Sequence, residues 1–349
     1  MKIENSHRRF NPLTGEWVLV SPNRTNRPWQ GRVEQHSFLQ RPAYDQNCYL
    51  CPNNKRANNQ FNPGYSTTFV FDNDFSALKS ESNELTENKI KLLKAKSEKG
   101  ICRVVCFSPK HNITLVELNY EEIKNIINVW QNEYSTLGKQ PFINYVQIFE
   151  NKGEIMGCSN PHPHGQIWAQ ETIPNEPFKE QTNQYNYLKE NATTLLSDYI
   201  TIEKQELERI VYENDSFVLL VPFWAIWPFE TMIISKRPIN NILQLTEREV
   251  TDFADIIKIT TVKYDNIFEV SFPYSAGIHQ APTDGLEHKE WHFHMHFYPP
   301  LLRSAEIKKF MVGYELLAEP QRDITPERSA EILRQADTIH YLLREKNAE

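Results

Sequence analysis

Residues 157–168 read Gly-Cys-Ser-Asn-Pro-His-Pro-His-Gly-Gln-Ile-Trp, with turn-forming residues at the start and apolar residues at the end. Residues two apart on a β-strand face the same side, so this segment predicts a strand on which His162, His164 and Gln166 form a polar stripe. A proline and a glycine interrupt the stripe although both are poor strand formers, and such conflicts are expected at functional sites. The segment therefore predicts a strand that carries chemistry.

A faint repeat surrounds this strand. Residues 68–75 read Thr-Phe-Val-Phe-Asp-Asn-Asp-Phe, and residues 210–217 read Ile-Val-Tyr-Glu-Asn-Asp-Ser-Phe. Each predicts an apolar strand that ends in an Asn-Asp turn, followed by a β-branched strand, an amphipathic helix and a histidine-rich strand. The β-branched strands are predicted near 102–107 and 231–234, and the histidine-rich strands at 162–168 and 292–298. The pattern predicts an α+β fold with two related halves, 1–177 and 178–349, in which helices flank an antiparallel sheet.

Helices are predicted from apolar residues at helical spacing. Thr246 and Glu249 have the spacing of a capping box, and Thr325 followed by Pro326 predicts the start of a final helix. A polar, tyrosine-rich helical stretch, 178–208, is expected to connect the halves. The residues predicted to face inward are Ile123, Ile126, Ile127, Trp130 and Tyr134 in the first half and Val250, Phe253 and Ile257 in the second.

Composition excludes several classes of protein. The 349 residues carry a formal net charge of -7 and no long basic run, which argues against a nucleic-acid-binding protein. The start of the chain is polar, and the longest apolar stretch, 218–229, contains two prolines and is too short to span a bilayer as a helix. We therefore expect a cytoplasmic protein with neither nucleic acid nor membrane as a partner.

Cys48 and Cys51 form a Cys-x-x-Cys pair, which is half of a typical tetrahedral zinc site. A redox function would require the pair to open a helix after a strand, whereas the polar and proline-containing surroundings favour a metal-binding loop. The remaining ligands would be histidines or distant cysteines, and His111 and His162 are candidates.

The second histidine-rich strand predicts a second metal site. His292, His294 and His296 alternate along it, and His279 lies upstream. Three imidazoles and a carboxylate would suit a divalent metal such as iron or zinc. The competing interpretation is a histidine-rich segment that binds nothing.

The first histidine-rich strand suits phosphoryl transfer. A neutral imidazole is a competent nucleophile near neutral pH, and its attack on a phosphoryl group gives a labile phosphoramidate. Gln166, Ser159 and Asn160 could donate hydrogen bonds to the phosphate oxygens. We place the nucleophile at His164 rather than His294, because the neighbours of His294 are bulky and apolar.

Residues 157–168 resemble the active-site signature of the galactose-1-phosphate uridylyltransferase family, in its bacterial zinc-containing branch, a member of the histidine-triad superfamily. The resemblance runs nearly end to end through 10–17, 27–31, 73–75, 149–153, 296–304, 309–315 and 321–323. It implies duplicated histidine-triad-like halves and an enzyme of galactose metabolism, a UDP-glucose–hexose-1-phosphate uridylyltransferase. Such enzymes exchange UMP between UDP-glucose and galactose 1-phosphate by a ping-pong route.

The resemblance also implies roles for individual residues. His164 would carry the uridylyl group, the backbone carbonyl of His162 would orient its ring, and Gln166 would bind phosphoryl oxygens. Hydrolases of the superfamily have a histidine at the position of Gln166, so the glutamine favours transfer over hydrolysis. The implied structural zinc lies on Cys48, Cys51, His111 and His162, and the second metal, iron in some members, on Glu180, His279, His294 and His296.

Substrate contacts are implied in two groups. Those in the N-terminal half are Arg24, Arg27, Asn73, Asp74, Phe75, Asn151, Ser159 and Gln166. Those in the C-terminal half are Lys309, Phe310, Val312, Tyr314, Glu315 and Gln321. In the family, the two arginines and the C-terminal group reach across a homodimer interface.

Two other interpretations stay open. The chain could be a different histidine-triad enzyme, such as a dinucleoside polyphosphate phosphorylase or a hydrolase. It could also be a zinc-stabilised nucleotide-binding module without catalysis, in which His164 would be incidental.

Overall fold

The computed structural model describes residues 5–22, 41–81, 92–301, 304 and 310–346. The strands are β1 (His7–Asn11), β2 (Glu16–Val20), β3 (Phe69–Asp72), β4 (Gly100–Cys106), β5 (Tyr145–Lys152), β6 (His164–Gln170), β7 (Ile210–Glu213), β8 (Phe217–Leu220), β9 (Thr231–Ser235), β10 (Tyr274–His279), β11 (His294–Tyr298) and β12 (Gln321–Arg322). The helices are α1 (Tyr120–Gly138), α2 (Asn175–Asn191), α3 (Leu195–Glu206), α4 (Glu247–Phe268), α5 (Tyr314–Leu317), α6 (Pro326–Gln335) and α7 (Tyr341–Lys346).

A nine-stranded sheet organises the molecule in the order β3-β4-β6-β5-β10-β11-β9-β8-β7. Every neighbouring pair in it is antiparallel. The order β3-β4-β6-β5 is mirrored by β8-β9-β11-β10, which confirms the predicted α+β fold of two related halves. The sequence repeat aligned β3 with β7. In the sheet the counterpart of β3 is β8 instead, because β3 pairs with β4 as β8 pairs with β9.

The two halves meet where β5 pairs with β10, so the sheet is continuous across them. The predicted boundary after residue 177 falls within α2. The division of the chain at that residue stays a prediction.

Helices α1 and α4 cover one face of the sheet and form the main core with it. Each begins with a capping box, Asn119 with Glu122 in α1 and the predicted Thr246 with Glu249 in α4. The apolar residues predicted to face inward on both helices are buried. Because side chains alternate along a strand, β5 and β6 turn one set of residues to this core and leave the other set facing the opposite side.

The helical stretch predicted to connect the halves consists of two helices, α2 and α3. Ala192 ends α2 in the left-handed conformation, at φ 58°, and α3 starts after Thr194. The final helix, α6, starts after Thr325 with Pro326 in its first turn, as predicted. Among the described residues, every helix is too short or too polar to cross a membrane.

A second, three-stranded sheet has the order β1-β2-β12 and was not predicted. β12 lies parallel to β2, with Gln321 beside Leu19. This pairing brings the C-terminal segment next to the start of the chain.

Candidate active site and metal centres

A pocket opens on the sheet face opposite α1 and α4, at the start of β6. Its lining comes from β3, β4, β5, β6 and the loops beside them. The lining residues are Tyr49, Leu50, Phe71, Asn73, Asp74, Phe75, Val104, Asn151, Gly157, Cys158, Ser159, His164, Gly165 and Gln166. The structure thus brings together six residues that sequence analysis placed in the site: Asn73, Asp74, Phe75, Asn151, Ser159 and Gln166, all around His164.

His164 is the first residue of β6, and the predicted strand start at His162 is wrong. The polar stripe is therefore shorter than predicted: His164 and Gln166 share the pocket face, whereas the His162 ring is buried and faces Cys51. The backbone oxygen of His162 lies 2.7 Å from Nδ1 of His164. A carbonyl accepts hydrogen bonds and cannot donate them, so Nδ1 carries the hydrogen and the lone pair lies on Nε2. Burial lowers the pKa of His164, which favours the neutral ring.

Gly165 is explained by packing. A Cβ at this position would lie 2.7 Å from the ring of Phe107 and 3.0 Å from the backbone oxygen of Phe149. Any side chain would push β6 away from these neighbours, and with it the adjacent His164.

Gln166 is oriented by its neighbour two residues along β6. The indole N–H of Trp168 donates to Oε1 of Gln166 at 3.0 Å. The amide nitrogen of Gln166 is then the end available to donate into the pocket, which is the polarity that phosphoryl oxygens require.

Cys48, Cys51, His111 and His162 come together as a buried cluster with all four potential ligand atoms within 4.8 Å of one another. Sγ of Cys51 lies 3.7 Å from Nδ1 of His111 and 3.6 Å from Nδ1 of His162. Zinc–ligand bonds of about 2.3 Å to sulfur and about 2.0–2.1 Å to nitrogen at a tetrahedral angle give sulfur–nitrogen edges of about 3.6 Å. The donor set and its spacing therefore fit tetrahedral zinc.

Hydrogen bonds and burial set the protonation states of the histidine and cysteine side chains in this cluster. Nε2 of His162 donates to the backbone oxygen of Ser108 at 2.8 Å, which leaves the lone pair of Nδ1 facing Cys51. Burial lowers the pKa of His162 to about 4 and also lowers that of His111, so both rings are neutral near pH 7. Burial raises the pKa of the Cys51 thiol to about 11, so a metal that binds here displaces a proton.

Glu180, His279, His294 and His296 form a second cluster, also with all four potential ligand atoms within 4.8 Å. Nδ1 of His279 lies 2.9 Å and 3.0 Å from the two carboxylate oxygens of Glu180, and Nε2 of His294 lies 3.3 Å from one of them. Both ring nitrogens of His296 are buried without a hydrogen-bond partner among the described residues. Three imidazoles and a carboxylate with unpaired nitrogens fit a divalent transition metal.

The charges in this cluster are balanced. Burial alone would lower the pKa of His279, but the carboxylate of Glu180 outweighs it and the pKa rises. Burial alone would raise the pKa of Glu180, but the adjacent imidazoles hold it well below its usual range. Burial lowers the pKa of His296 to about 3, which keeps that ring neutral and able to bind a metal.

His292 lies outside β11, so the predicted alternation of three histidines on one strand face is wrong. Its Nε2 donates to the backbone oxygen of Ser235 at 2.6 Å, and Nδ1 lies 3.0 Å from the hydroxyl of Thr194. His292 therefore occupies the position that His162 has in the first half, with a hydroxyl beside its Nδ1 where His162 has a thiol.

Asp74 is a buried carboxylate at the pocket wall. Its Oδ2 lies 3.9 Å from Nε of Arg56, and its Oδ1 is buried without a hydrogen-bond partner among the described residues. The guanidinium of Arg56 also lies over the ring of Phe71, 4.3 Å from its centroid. Arg56 thus contacts two residues of the pocket lining, and Oδ1 of Asp74 can accept a hydrogen bond from a ligand donor.

The predicted C-terminal contacts do not line this pocket. Phe310, Val312 and Tyr314 are exposed, Glu315 is in the first turn of α5, and Gln321 is buried on β12. Gln321 donates from Nε2 to a carboxylate oxygen of Asp323 at 2.7 Å. Arg24, Arg27 and Lys309 lie outside the described residues.

Asn160 was expected to donate a hydrogen bond to a phosphate. Its side chain is instead buried, and it contacts Cys48 and the backbone of His162. The contacts of Arg56 and Trp168 with pocket residues were not predicted, and Glu180 was predicted through the family resemblance alone. The offset of two residues between Gln166 and Trp168 on one strand face could have indicated that contact. Arg56 lies 18 residues before Asp74, and the loop that joins them carries no periodic pattern.

Comparisons with known proteins identify the family of this chain. Residues 1–174 match the model of the galactose-1-phosphate uridyl transferase N-terminal domain, and residues 180–345 match that of the C-terminal domain. The galactose-1-phosphate uridylyltransferase of Saccharomyces cerevisiae is 50% identical, over 97% of this chain and 97% of the relative. The protein of the same name from Haemophilus influenzae is 49% identical over 98% of each chain.

Solved structures share the fold. A uridylyltransferase structure superposes with a TM-score of 0.76 at 26% identity, covering 94% of this chain and 97% of the other. Two domain matches that together span nearly the whole chain, and close full-length relatives, are sufficient to assign the family. The chain belongs to the galactose-1-phosphate uridylyltransferase family.

Proposed function

We propose that this protein exchanges UMP between UDP-glucose and galactose 1-phosphate, giving glucose 1-phosphate and UDP-galactose. The observation that carries the proposal is the His164 ring, which lines a pocket while the backbone oxygen of His162 holds its Nδ1 hydrogen. That hydrogen bond leaves the nucleophilic lone pair on Nε2. The names of the full-length relatives support the choice of substrates.

The proposed reaction has two steps. Nε2 of His164 attacks the α-phosphorus of UDP-glucose, a nitrogen–phosphorus bond forms, and the bond from that phosphorus to the bridging oxygen breaks, releasing glucose 1-phosphate. A phosphate oxygen of galactose 1-phosphate then attacks the same phosphorus. The nitrogen–phosphorus bond breaks, UDP-galactose leaves, and His164 regains its lone pair. One group that attacks and leaves in turn is what a ping-pong route requires.

The residues around His164 suit the charge that develops on phosphorus. The amide of Gln166, oriented by Trp168, and the exposed hydroxyl of Ser159 are donors for the phosphoryl oxygens. During the reaction the His164 ring gains positive charge, and the backbone oxygen of His162 stabilises it through the Nδ1 hydrogen. In this scheme His162 contributes to catalysis through its backbone and to metal binding through its ring.

Substrate recognition involves more than this pocket. We assign Asn73, Asp74, Phe75 and Asn151 to the nucleotide, since all four line the pocket. Five described residues of the C-terminal group do not line it, namely Phe310, Val312, Tyr314, Glu315 and Gln321. We assign them, with Arg24, Arg27 and Lys309, to a site that a second copy completes in a homodimer. Lysine and arginine would bind the phosphates of the sugar nucleotide.

We assign a structural zinc ion to Cys48, Cys51, His111 and His162, and a second divalent metal, iron or zinc, to the cluster around Glu180. Zinc in the first cluster would hold the loop that contributes Tyr49 and Leu50 to the pocket next to the backbone that orients His164. We propose a cytoplasmic location for the enzyme.

The test is incubation of the purified protein with UDP-glucose labelled in the α-phosphate. We expect acid-labile, base-stable label on the protein, and its discharge by galactose 1-phosphate as UDP-galactose. A protein that binds UDP-glucose without becoming labelled would be a nucleotide-binding module. Discharge by inorganic phosphate or water in place of galactose 1-phosphate would identify a phosphorylase or a hydrolase.

A further inference from the structure

Asn160 lies between the zinc cluster and the backbone of His162, and it is 6% exposed. Its Oδ1 lies 3.0 Å from the backbone nitrogen of His162, and its Nδ2 lies 3.5 Å from Sγ of Cys48. A backbone N–H can only donate, so Oδ1 must face His162. Both Oδ1 and Nδ2 of Asn160 lie 3.5 Å from the Cys48 sulfur, and Nδ2 is the atom that can donate to a thiolate there. The amide therefore joins a proposed metal ligand to the residue that precedes the nucleophile by two positions.

Among the described residues, His162 has four polar contacts besides the one through its backbone oxygen, and one of them is the Tyr65 hydroxyl, 3.0 Å from its Nε2. Its backbone N–H donates to Asn160, its Nε2 donates to the backbone oxygen of Ser108 at 2.8 Å, and its Nδ1 faces Cys51 at 3.6 Å. Its backbone oxygen then accepts from Nδ1 of His164 at 2.7 Å. The Ser108, Tyr65 and Cys51 contacts orient the His162 ring. The Asn160 contact acts instead on the backbone close to that oxygen.

We propose that Asn160 is a positioning residue for the transfer reaction: it orients the backbone of His162 so that the carbonyl holds the Nδ1 hydrogen of His164. This inference rests on the proposed function. Without the amide, the peptide after Pro161 is free to tilt, and the His164 ring spends less time with its Nε2 lone pair directed at phosphorus. Binding of UDP-glucose, which depends on other residues, is unaffected.

The chain offers a matched control. Asn54 is also a buried asparagine that contacts Cys48, since its Nδ2 donates to the backbone oxygen of Cys48 at 2.8 Å. Its other contacts are to Tyr44 and the backbone of Asp45. Asn54→Ala therefore weakens the metal loop as Asn160→Ala does, but leaves the hydrogen bond to His162 in place.

The experiment compares wild type, Asn160→Ala, Asn160→Asp and Asn54→Ala after loading with zinc. Zinc content, the Kd for UDP-glucose and the single-turnover rate of protein labelling are measured. The nitrogen resonances of His164 in ¹⁵N-histidine-labelled protein report its tautomer. We expect Asn160→Ala to slow labelling on the order of 10- to 100-fold at unchanged Kd, the usual range for residues that orient a ligating or reacting group. Its His164 resonances should show a mixture of tautomers.

Asn160→Asp keeps an acceptor for the His162 N–H but turns a carboxylate towards the Cys48 sulfur. It should retain less zinc than wild type, yet label at close to the wild-type rate once loaded. Asn54→Ala should also retain less zinc and label normally when loaded. Asn160→Asp keeps the proposal testable if Asn160→Ala fails to fold.

Zinc-loaded Asn160→Ala that labels within about twofold of wild type would overturn the inference, since an effect that small is well below the expected range. Equal slowing in Asn54→Ala would also overturn it, because the effect would then belong to the metal loop. Zinc-loaded Asn160→Asp that labels more than about 10-fold more slowly than wild type would also overturn it. Absence of label on wild type would instead contradict the proposed function.

Discussion

The backbone oxygen of His162 lies 2.7 Å from Nδ1 of His164, and His292 and His294 repeat this relationship, also at 2.7 Å. Each half of the duplicated fold thus contains a histidine whose lone pair lies on Nε2. In the first half that ring lines a pocket, and in the second its Nε2 faces Glu180 at 3.3 Å. In our proposal this imidazole carries the covalent chemistry in the first half and binds a metal in the second.

Glu180→Gln should remove the second metal and leave the first. The carboxylate is the one negative ligand among three imidazoles in this cluster, and an amide is a much weaker ligand. Metal analysis should show loss of the iron or zinc of this cluster, with zinc retained on the cysteines and His164 still labelled by UDP-glucose. Glu290→Gln, which changes a buried glutamate beside His288, is the control and should keep both metals. Unchanged metal content in Glu180→Gln would contradict the assignment.

Cys51→Ser should lose zinc and stability together. Both histidine contacts in the first cluster run through its sulfur, and metal loss belongs to the few mechanisms with large effects on stability. We expect the free energy of unfolding to fall by about 3 kcal/mol. Cys102→Ser, a buried cysteine outside the cluster, should retain zinc. The same zinc content in both variants would show that the metal lies elsewhere.

Arg56→Met should raise the KM for UDP-glucose and leave kcat close to the wild-type value. The guanidinium holds Asp74 and the Phe71 ring, so its loss weakens binding in the ground state and the transition state alike. We expect about a tenfold increase in KM, equivalent to about 1.4 kcal/mol, with partial recovery in Arg56→Lys. Arg103→Met, which removes an arginine paired with Asp72 and Glu133, should leave KM unchanged. A fall in kcat at constant KM would place Arg56 in the chemical step instead.

Glu150 should make stability depend on pH. Burial raises its pKa to about 7 from a usual value of 4.5, and Lys152 offsets part of this effect. The unfolded chain therefore releases this proton first, so stability falls as pH rises from 4.5 to 7, by up to about 3 kcal/mol at about 1.36 kcal/mol per pKa unit. Glu150→Gln removes the titration and keeps an acceptor for the Tyr274 hydroxyl. Denaturation curves of the two proteins should diverge over this pH range, and parallel curves would contradict the burial argument.

Much of the fold could be predicted, because local pattern and final structure agree there. The apolar face of α1 and the capping residues of α4 each depend on residues within a few positions of one another. The repeated order of strand, helix and strand was enough to give the two halves. The structure of segment 178–208 was harder to predict. The helix there is interrupted at Ala192, which adopts a backbone conformation that alanine does not favour.

The site was only partly predictable, because its contacts join distant parts of the chain. Glu180 lies 99 residues before His279, and no spacing connects a helix residue with a strand that far away. His162 looks like a strand residue by its offset from His164, yet its ring turns towards Cys51, 111 residues earlier. In both cases tertiary contacts, rather than periodicity, decide where the side chain lies.

The most direct test of the account is the fate of the α-phosphate label in His164→Gly. Wild type should accept label from UDP-glucose and release glucose 1-phosphate, whereas the variant should bind UDP-glucose, keep both metals and remain unlabelled. Because glycine removes the ring and little else, added imidazole should restore transfer by acting as the nucleophile in the vacated space. A folded His164→Gly protein that still becomes labelled would show that another residue carries the uridylyl group.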